Sequence, residues 1–177
     1  PNGEIEVTSV GRWFDVQRSP RDSERKLWDG DRLRISFGFP PDEFRGGREL
    51  QEGFLPVLRT WWQEGPLYYE QRTVLTAPQL KDIALDMPTV LLMRVRVVNT
   101  SDSQDAVAAL RFATDAGRNE RLSLREDRVL AGGDAGDRLR FLVHAEEQAG
   151  LAQDGRAVKW TASLKPGQTT TLCVAIP

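Results

Sequence analysis

The sequence predicts an all-β domain built as a two-sheet antiparallel β-sandwich, and three observations carry that prediction. Apolar and polar residues alternate with period two in short runs; clusters of glycine, proline, aspartate and asparagine separate the runs; and long amphipathic helical patterns are missing. At 177 residues, 40% hydrophobic and 28% charged, the chain has the composition of one ordinary globular core. With neither a fixed-period repeat nor a low-complexity linker, residues 1–177 read as a single domain. Pro1 and the strand-like ending at Ile176 and Pro177 read as boundaries of a piece excised from a longer chain.

Strands are predicted over 5–10, 13–16, 32–39, 55–63, 67–76, 89–99, 107–114, 122–124, 138–145, 157–164 and 169–176. The clearest is 89–99, where Leu91, Met93, Val95 and Val97 fall on one face and belong to the core, while Arg94 and Arg96 share the other with Val90 and Leu92. The polar turn Asn99-Thr100-Ser101-Asp102 then leads to a neighbouring strand that begins near Val107.

Two hairpins are expected. In the first, Gln63-Glu64-Gly65-Pro66 turns between two aromatic, β-favouring runs. Pairing Gln63 with Pro66 sets Trp61 opposite Tyr68, Arg59 opposite Glu70, Trp62 opposite Leu67 and Thr60 opposite Tyr69. The second is centred on Pro166-Gly167, the dipeptide a type II turn requires, and buries Val158, Trp160, Ala162 and Leu164 with Leu172, Val174 and Ile176. Loops are expected over 17–31, 40–53, 77–88, 115–121 and 146–156, with a helical turn within 146–153.

Charge and composition narrow the function classes. Lysine and arginine number 24 against 26 acidic residues, mixed along the chain, so no net field favours nucleic acid or an anionic membrane. No apolar run approaches the ~18 residues of a membrane-spanning helix. One cysteine, Cys173, and one histidine, His144, do not make the common zinc sets. Neither a nucleophile elbow nor a cysteine-protease signature is present. His144 shares a strand with Phe141 and Val143, which favours a structural role, and Cys173 is expected to be a small buried hydrophobe. The loop carboxylates of Asp29-Gly30-Asp31 and of 132–137 could hold calcium but match no EF-hand spacing, so ordinary turn chemistry is the favoured reading, and the pairs Gly46-Gly47 and Gly132-Gly133 read as turns. Metal and cofactor are therefore not expected.

Among the acidic residues no pair stands out as a glycosidase couple, and Glu70 is better explained as the partner of Arg59. The aromatic group Trp61, Trp62, Tyr68 and Tyr69 holds more interest, because flat rings stack on sugars. Adjacent tryptophans on a strand point to opposite faces, so one of Trp61 and Trp62 is expected outside the core. The candidate carbohydrate surface is Trp61, Trp62, Tyr68 and Tyr69 with Arg59 and Glu70, weighed against plain packing of both tryptophans.

The segments Glu52-Gly53-Phe54-Leu55-Pro56-Val57, Trp61 to Glu64, Tyr68-Tyr69-Glu70-Gln71 and Leu91 to Asn99 resemble the N-terminal β-sandwich, or supersandwich, that precedes a six-hairpin helical toroid in bacterial glycoside hydrolases. The ending Leu164-Lys165-Pro166-Gly167 and Val174-Ala175-Ile176-Pro177 is similar too. In that family the general acid and base come from the toroid, so the resemblance implies no catalytic residue here. It implies a sandwich that packs on a catalytic helical domain of the same parent chain and contributes to its cleft.

The leading expectation is thus a non-catalytic accessory domain of a glycoside-hydrolase-like protein. An autonomous carbohydrate-binding module, which an exposed coplanar aromatic pair would favour, is the alternative. An adhesion-type structural sandwich and a sugar-epimerising enzyme using His144 with a carboxylate on a shared sheet face are further rivals.

Overall fold

The computed structural model describes residues 5–7, 10–12, 24–26, 33–36, 46–53, 55–77, 89–114, 121–132, 137–146 and 149–177. In chain order its strands are β1 Ile5–Val7, β2 Val10–Arg12, β3 Glu24–Lys26, β4 Leu33–Ser36, β5 Gly46–Leu50, β6 Val57–Glu64, β7 Leu67–Thr76 and β8 Val90–Asn99. They continue with β9 Ala106–Thr114, β10 Arg121–Arg125, β11 Arg128–Gly132, β12 Arg138–Ala145, β13 Ala149–Asp154, β14 Ala157–Leu164 and β15 Thr169–Ile176.

Two antiparallel sheets make the sandwich. The larger has eight strands in the order β10-β11-β12-β15-β8-β7-β6-β5, and the smaller has five in the order β1-β4-β9-β14-β13. β2 and β3 pair separately. The interior follows the period-two pattern. Met93, Val95 and Val97 of β8 and Leu172, Val174 and Ile176 of β15 belong to one buried cluster with Leu110 and Phe112 of β9 and Trp160, Ala162 and Leu164 of β14. Phe112 and Phe141 meet across the layers with ring centroids 4.9 Å apart. At one edge Gln153 Nε2 of β13 donates to the Leu122 carbonyl oxygen of β10, 2.7 Å away, linking the layers.

Two connections expected within a sheet pass between sheets instead. β8 lies in the large sheet and β9 in the small one; β14 pairs with β9 and β13, while β15 pairs with β8 and β12. Pro166-Gly167 does form the expected turn, with Gly167 at φ 73° and Gln168 N donating to the Lys165 carbonyl oxygen at 3.0 Å. The strands it joins diverge into the two layers, so it makes an arch rather than a hairpin. The two arches are stitched together by Asn99, which is fully buried. Its Nδ2 donates to the carbonyl oxygens of Gln104 at 2.7 Å and Leu164 at 3.0 Å, and its Oδ1 accepts from Ser101 N. Its backbone N–H donates to the Gln168 carbonyl oxygen, and its own carbonyl oxygen accepts from Gly167 N.

Three further expectations are corrected. The helical turn within 146–153 is replaced by β13, whose six residues pair with β14 from Ala149↔Ala162 to Asp154↔Ala157. Gly46 and Gly47 are not a turn but the start of edge strand β5, opposite Trp62 and Trp61. A Cβ on Gly46 would collide with the Trp61 carbonyl oxygen, so glycine is there for close backbone approach. β11, absent from the sequence-based strands, pairs with β10 and β12, and its register with β12 shifts between Val129 and Leu130. That bulge puts both Arg140 and Phe141 into the interior. The expected strand at 13–16, the Asp29-Gly30-Asp31 run and residues 133–136 lie outside the described residues.

Candidate functional site

The aromatic hairpin is a two-residue one. Gly65 at φ 51° followed by Pro66 supplies the backbone that a type II′ connection needs, and Glu64 pairs with Leu67. The pairing is therefore shifted by two residues from the expected one: Trp62 faces Tyr69, Trp61 faces Glu70, Gln63 faces Tyr68 and Arg59 faces Arg72. A shift of two keeps every side chain on its expected face, because side-chain direction repeats every two residues.

The inward face takes Trp62 and Tyr69 into the core. They are 4% and 0% exposed and stack with ring centroids 4.7 Å apart at an interplanar angle of 9°. The coplanar aromatic pair thus exists, but it is sealed between the sheets, and these two residues leave the carbohydrate surface. Burial pushes the Tyr69 phenol above its ordinary value; the Ala109 N–H, which donates to its oxygen at 3.4 Å, lowers it and the Glu64 carboxylate raises it further.

On the outward face Trp61, Tyr68, Arg59 and Glu70 remain partly accessible. The Arg59 guanidinium lies 5.0 Å from the Trp61 ring centroid. The same ring lies against Gly47, where a Cβ would meet its Cζ2. Arg59 is itself held by Glu49 through Nη1 at 2.8 Å and by Glu70 through Nε at 2.8 Å, while Arg72 Nε donates to the other Glu70 oxygen at 3.0 Å. Hydrogen bonds to Glu49 and then Glu70 raise the Arg59 pKa. Burial pushes the Glu70 carboxyl up, but the hydrogen bonds and charges of Arg59 and Arg72 outweigh it and hold the group below its ordinary value. Arg59–Glu70, expected as a cross-strand pair, is present as a diagonal one.

A concavity lies further along the same outward face. A groove of ≈ 440 Å³ is lined by Val57, Val74, Leu92, Ala175 and Leu142, with Arg72, Arg94, His144, Cys173 and Asp127 around them. The five apolar residues are successive cross-strand partners, Val57↔Val74↔Leu92↔Ala175↔Leu142, and so form one row over β6, β7, β8, β15 and β12. The adjacent row is Arg59↔Arg72↔Arg94↔Cys173↔His144. Leu92 and Leu142 are 41% and 39% exposed.

This placement corrects the reading of Cys173, which is exposed and not buried. Its parity in β15 is that of Thr171 and Ala175, opposite to the core positions Leu172, Val174 and Ile176. His144 is likewise exposed and stands directly opposite Cys173. His144 and Asp127 share the groove lining, and no hydrogen bond joins His144 to Asp127 or to Cys173 among the described residues. No cluster of three or more histidine, cysteine, aspartate or glutamate side chains fit for a metal ion occurs among the described residues. Nor is any described helix long and apolar enough to cross a membrane.

The groove was not singled out from the sequence, although a signal for it existed. β8 carries Val90, Leu92 and Val98 on the face opposite Met93, Val95 and Val97, so apolar residues share its outward face with Arg94 and Arg96. No protein-family model matches the chain, and no curated protein matches it.

Proposed function

We propose that the domain is a non-catalytic accessory sandwich of a glycoside-hydrolase-like protein, docking through the outward face of its eight-stranded sheet on a helical catalytic domain of the same parent chain and shaping that domain's cleft. The observation that carries this reading is the apolar row from Val57 to Leu142, which crosses five strands on a face that no described element covers. Aliphatic side chains in a continuous stripe gain ~25 cal/mol per Å² when a partner removes them from water. The resemblance of the 52–71 and 91–99 segments to supersandwich domains supplies the kind of partner.

Cys173 makes the reading testable, because it is the single cysteine and lines the groove. In the 177-residue chain iodoacetamide alkylates it readily; in the intact gene product the docked domain shields it, and the rate falls by about tenfold or more. Equal rates in the two, or a gene product without a helical catalytic region, overturn the proposal.

A second reading, a carbohydrate-binding module, keeps support from Trp61 and Tyr68 beside Arg59 and Glu70 on the outward face. Glycan-array binding by the wild-type chain that Trp61→Ala abolishes would favour it, and absence of wild-type binding would remove it.

A further inference from the structure

The outward face is locally cationic in a chain whose net charge is −2. On the outward positions of β5 to β8 stand Arg59, Arg72, Arg94 and Arg96 against Glu49 and Glu70, and Asp127 adds a third carboxylate at the groove. Glu70 is already engaged by Arg59 and Arg72, whereas Arg94 and Arg96 make no ion pair among the described residues. Arg72, Arg94 and His144 line one long side of the groove, parallel to the apolar row.

From this pattern, and resting on the docking reading above, we infer that the element seated in the groove is an amphipathic helix with an apolar stripe on the Val57-to-Leu142 row and carboxylates along the flank that faces Arg72 and Arg94. The geometry suits a helix in two ways. Five strands at ~4.8 Å spacing give a row of ~19 Å, which about 13 helical residues span. Helical turns recur every ~5.4 Å, close to the strand spacing, so successive turns meet successive strands of the row. An added β-strand has no role here, because the backbone groups of these inner strands are already paired within the sheet. A pyranose ring would meet aliphatic side chains where stacking needs aromatic ones. Carboxylates along one flank meet Arg94, which has no ion pair among the described residues, beside Arg72, which shares Glu70 with Arg59, and they fix which way the helix lies.

The test uses two synthetic helical peptides of about 14 residues that share one leucine stripe and differ in the flank, glutamate in one and lysine in the other. Protection of Cys173 from iodoacetamide is the readout, with the intact gene product run in parallel. The glutamate peptide is expected to slow alkylation by about tenfold near saturation and the lysine peptide to leave it unchanged. Raising salt toward 1 M, where the Debye length is ~3 Å, weakens the protection. Arg94→Gln, a surface change that keeps the fold as checked by its melting curve, reduces the protection severalfold, and Leu92→Asp abolishes it.

Equal protection by both peptides, or protection unaffected by Arg94→Gln, leaves docking in place and overturns the acidic flank. Protection in the gene product but by neither peptide at ~1 mM does the same for the helix. Exposure of Cys173 in every case overturns both the inference and the docking reading.

Discussion

Asn99 Nδ2 donates to the Leu164 carbonyl oxygen across 65 residues of chain, 3.0 Å away, and so joins the arch that leaves β8 to the arch that enters β15. Each polar group of this buried residue has a partner within one of the two arches. Asn99→Ala removes the side-chain bonds to Gln104, Leu164 and Ser101 together and leaves the buried Leu164 carbonyl oxygen and the part-buried Gln104 carbonyl and Ser101 N–H without them. The expected cost is about 3 kcal/mol, most of it from unsatisfied backbone groups rather than lost bonds. Urea titration measures it. A loss under ~1 kcal/mol would mean that water replaces the amide.

Trp61 and Trp62 are neighbours with opposite duties. Trp62→Ala empties a core site beside Tyr69 and is expected to cost about 3–5 kcal/mol. Trp61→Ala removes a half-buried ring and its contact with Arg59, at about 1 kcal/mol. Denaturation midpoints of the two variants separate these values. The difference also governs how sugar binding is interpreted: a loss of binding in Trp62→Ala reports the fold, and in Trp61→Ala it reports the surface.

The parts legible in the sequence were those that period-two alternation decides alone. The core side of β8, the opposite facing of Trp61 and Trp62, and the Pro166-Gly167 turn all appear where expected. What alternation does not encode is which strand lies alongside. A type II turn has the same residues whether its flanking strands pair or part into two layers, so β14 and β15 read as a hairpin. The two-residue shift in register at Gln63 comes from a two-residue turn centred one position later than expected, on Gly65-Pro66 rather than Glu64-Gly65, and it leaves every face intact. β5 was hidden because a glycine pair ordinarily signals a turn; only the approach of Trp61 explains it as strand. Cys173 was misplaced by chemistry rather than pattern, since cysteine is usually buried while its parity pointed outward.

Two glutamates of the β6–β7 hairpin give the domain opposing pH dependences. Burial pushes Glu64 up to about 7 from an ordinary 4.5. The folded state therefore holds this proton more tightly than the unfolded chain; the stability it contributes is full below pH 4.5 and is lost as pH rises toward 7. Glu70 is held below its ordinary value, so its contribution is full above pH 4.5 and is lost as pH falls through its folded pKa. Thermal melting across pH 3–8 should peak near the crossover of the two. Glu64→Gln is expected to flatten the decline above pH 4.5 and leave the acid limb in place, whereas a decline that persists in Glu64→Gln would assign it to another group.

Gly46 ties the edge of the large sheet to the candidate surface. Its missing side chain lets β5 lie close against β6, where Glu49 of β5 reaches Arg59 at 2.8 Å. Gly46→Ala puts a methyl group onto the Trp61 carbonyl oxygen, which is backbone and has little room to yield. The edge strand is then expected to peel away, at a cost of about 1–3 kcal/mol. Because β5 is terminal in the sheet, the order from β6 to β10 survives and the loss stays local. Amide hydrogen exchange should accordingly rise in residues 46–50 and in the β6 amides bonded to them, while β8 and β15 keep their protection. Once Glu49 is withdrawn, Arg59 loses one of its two carboxylates and moves more freely over Trp61, so tryptophan fluorescence should shift in Gly46→Ala even where melting barely changes. Unchanged exchange at 46–50 would show that the strand tolerates the added carbon and that glycine serves no steric purpose there.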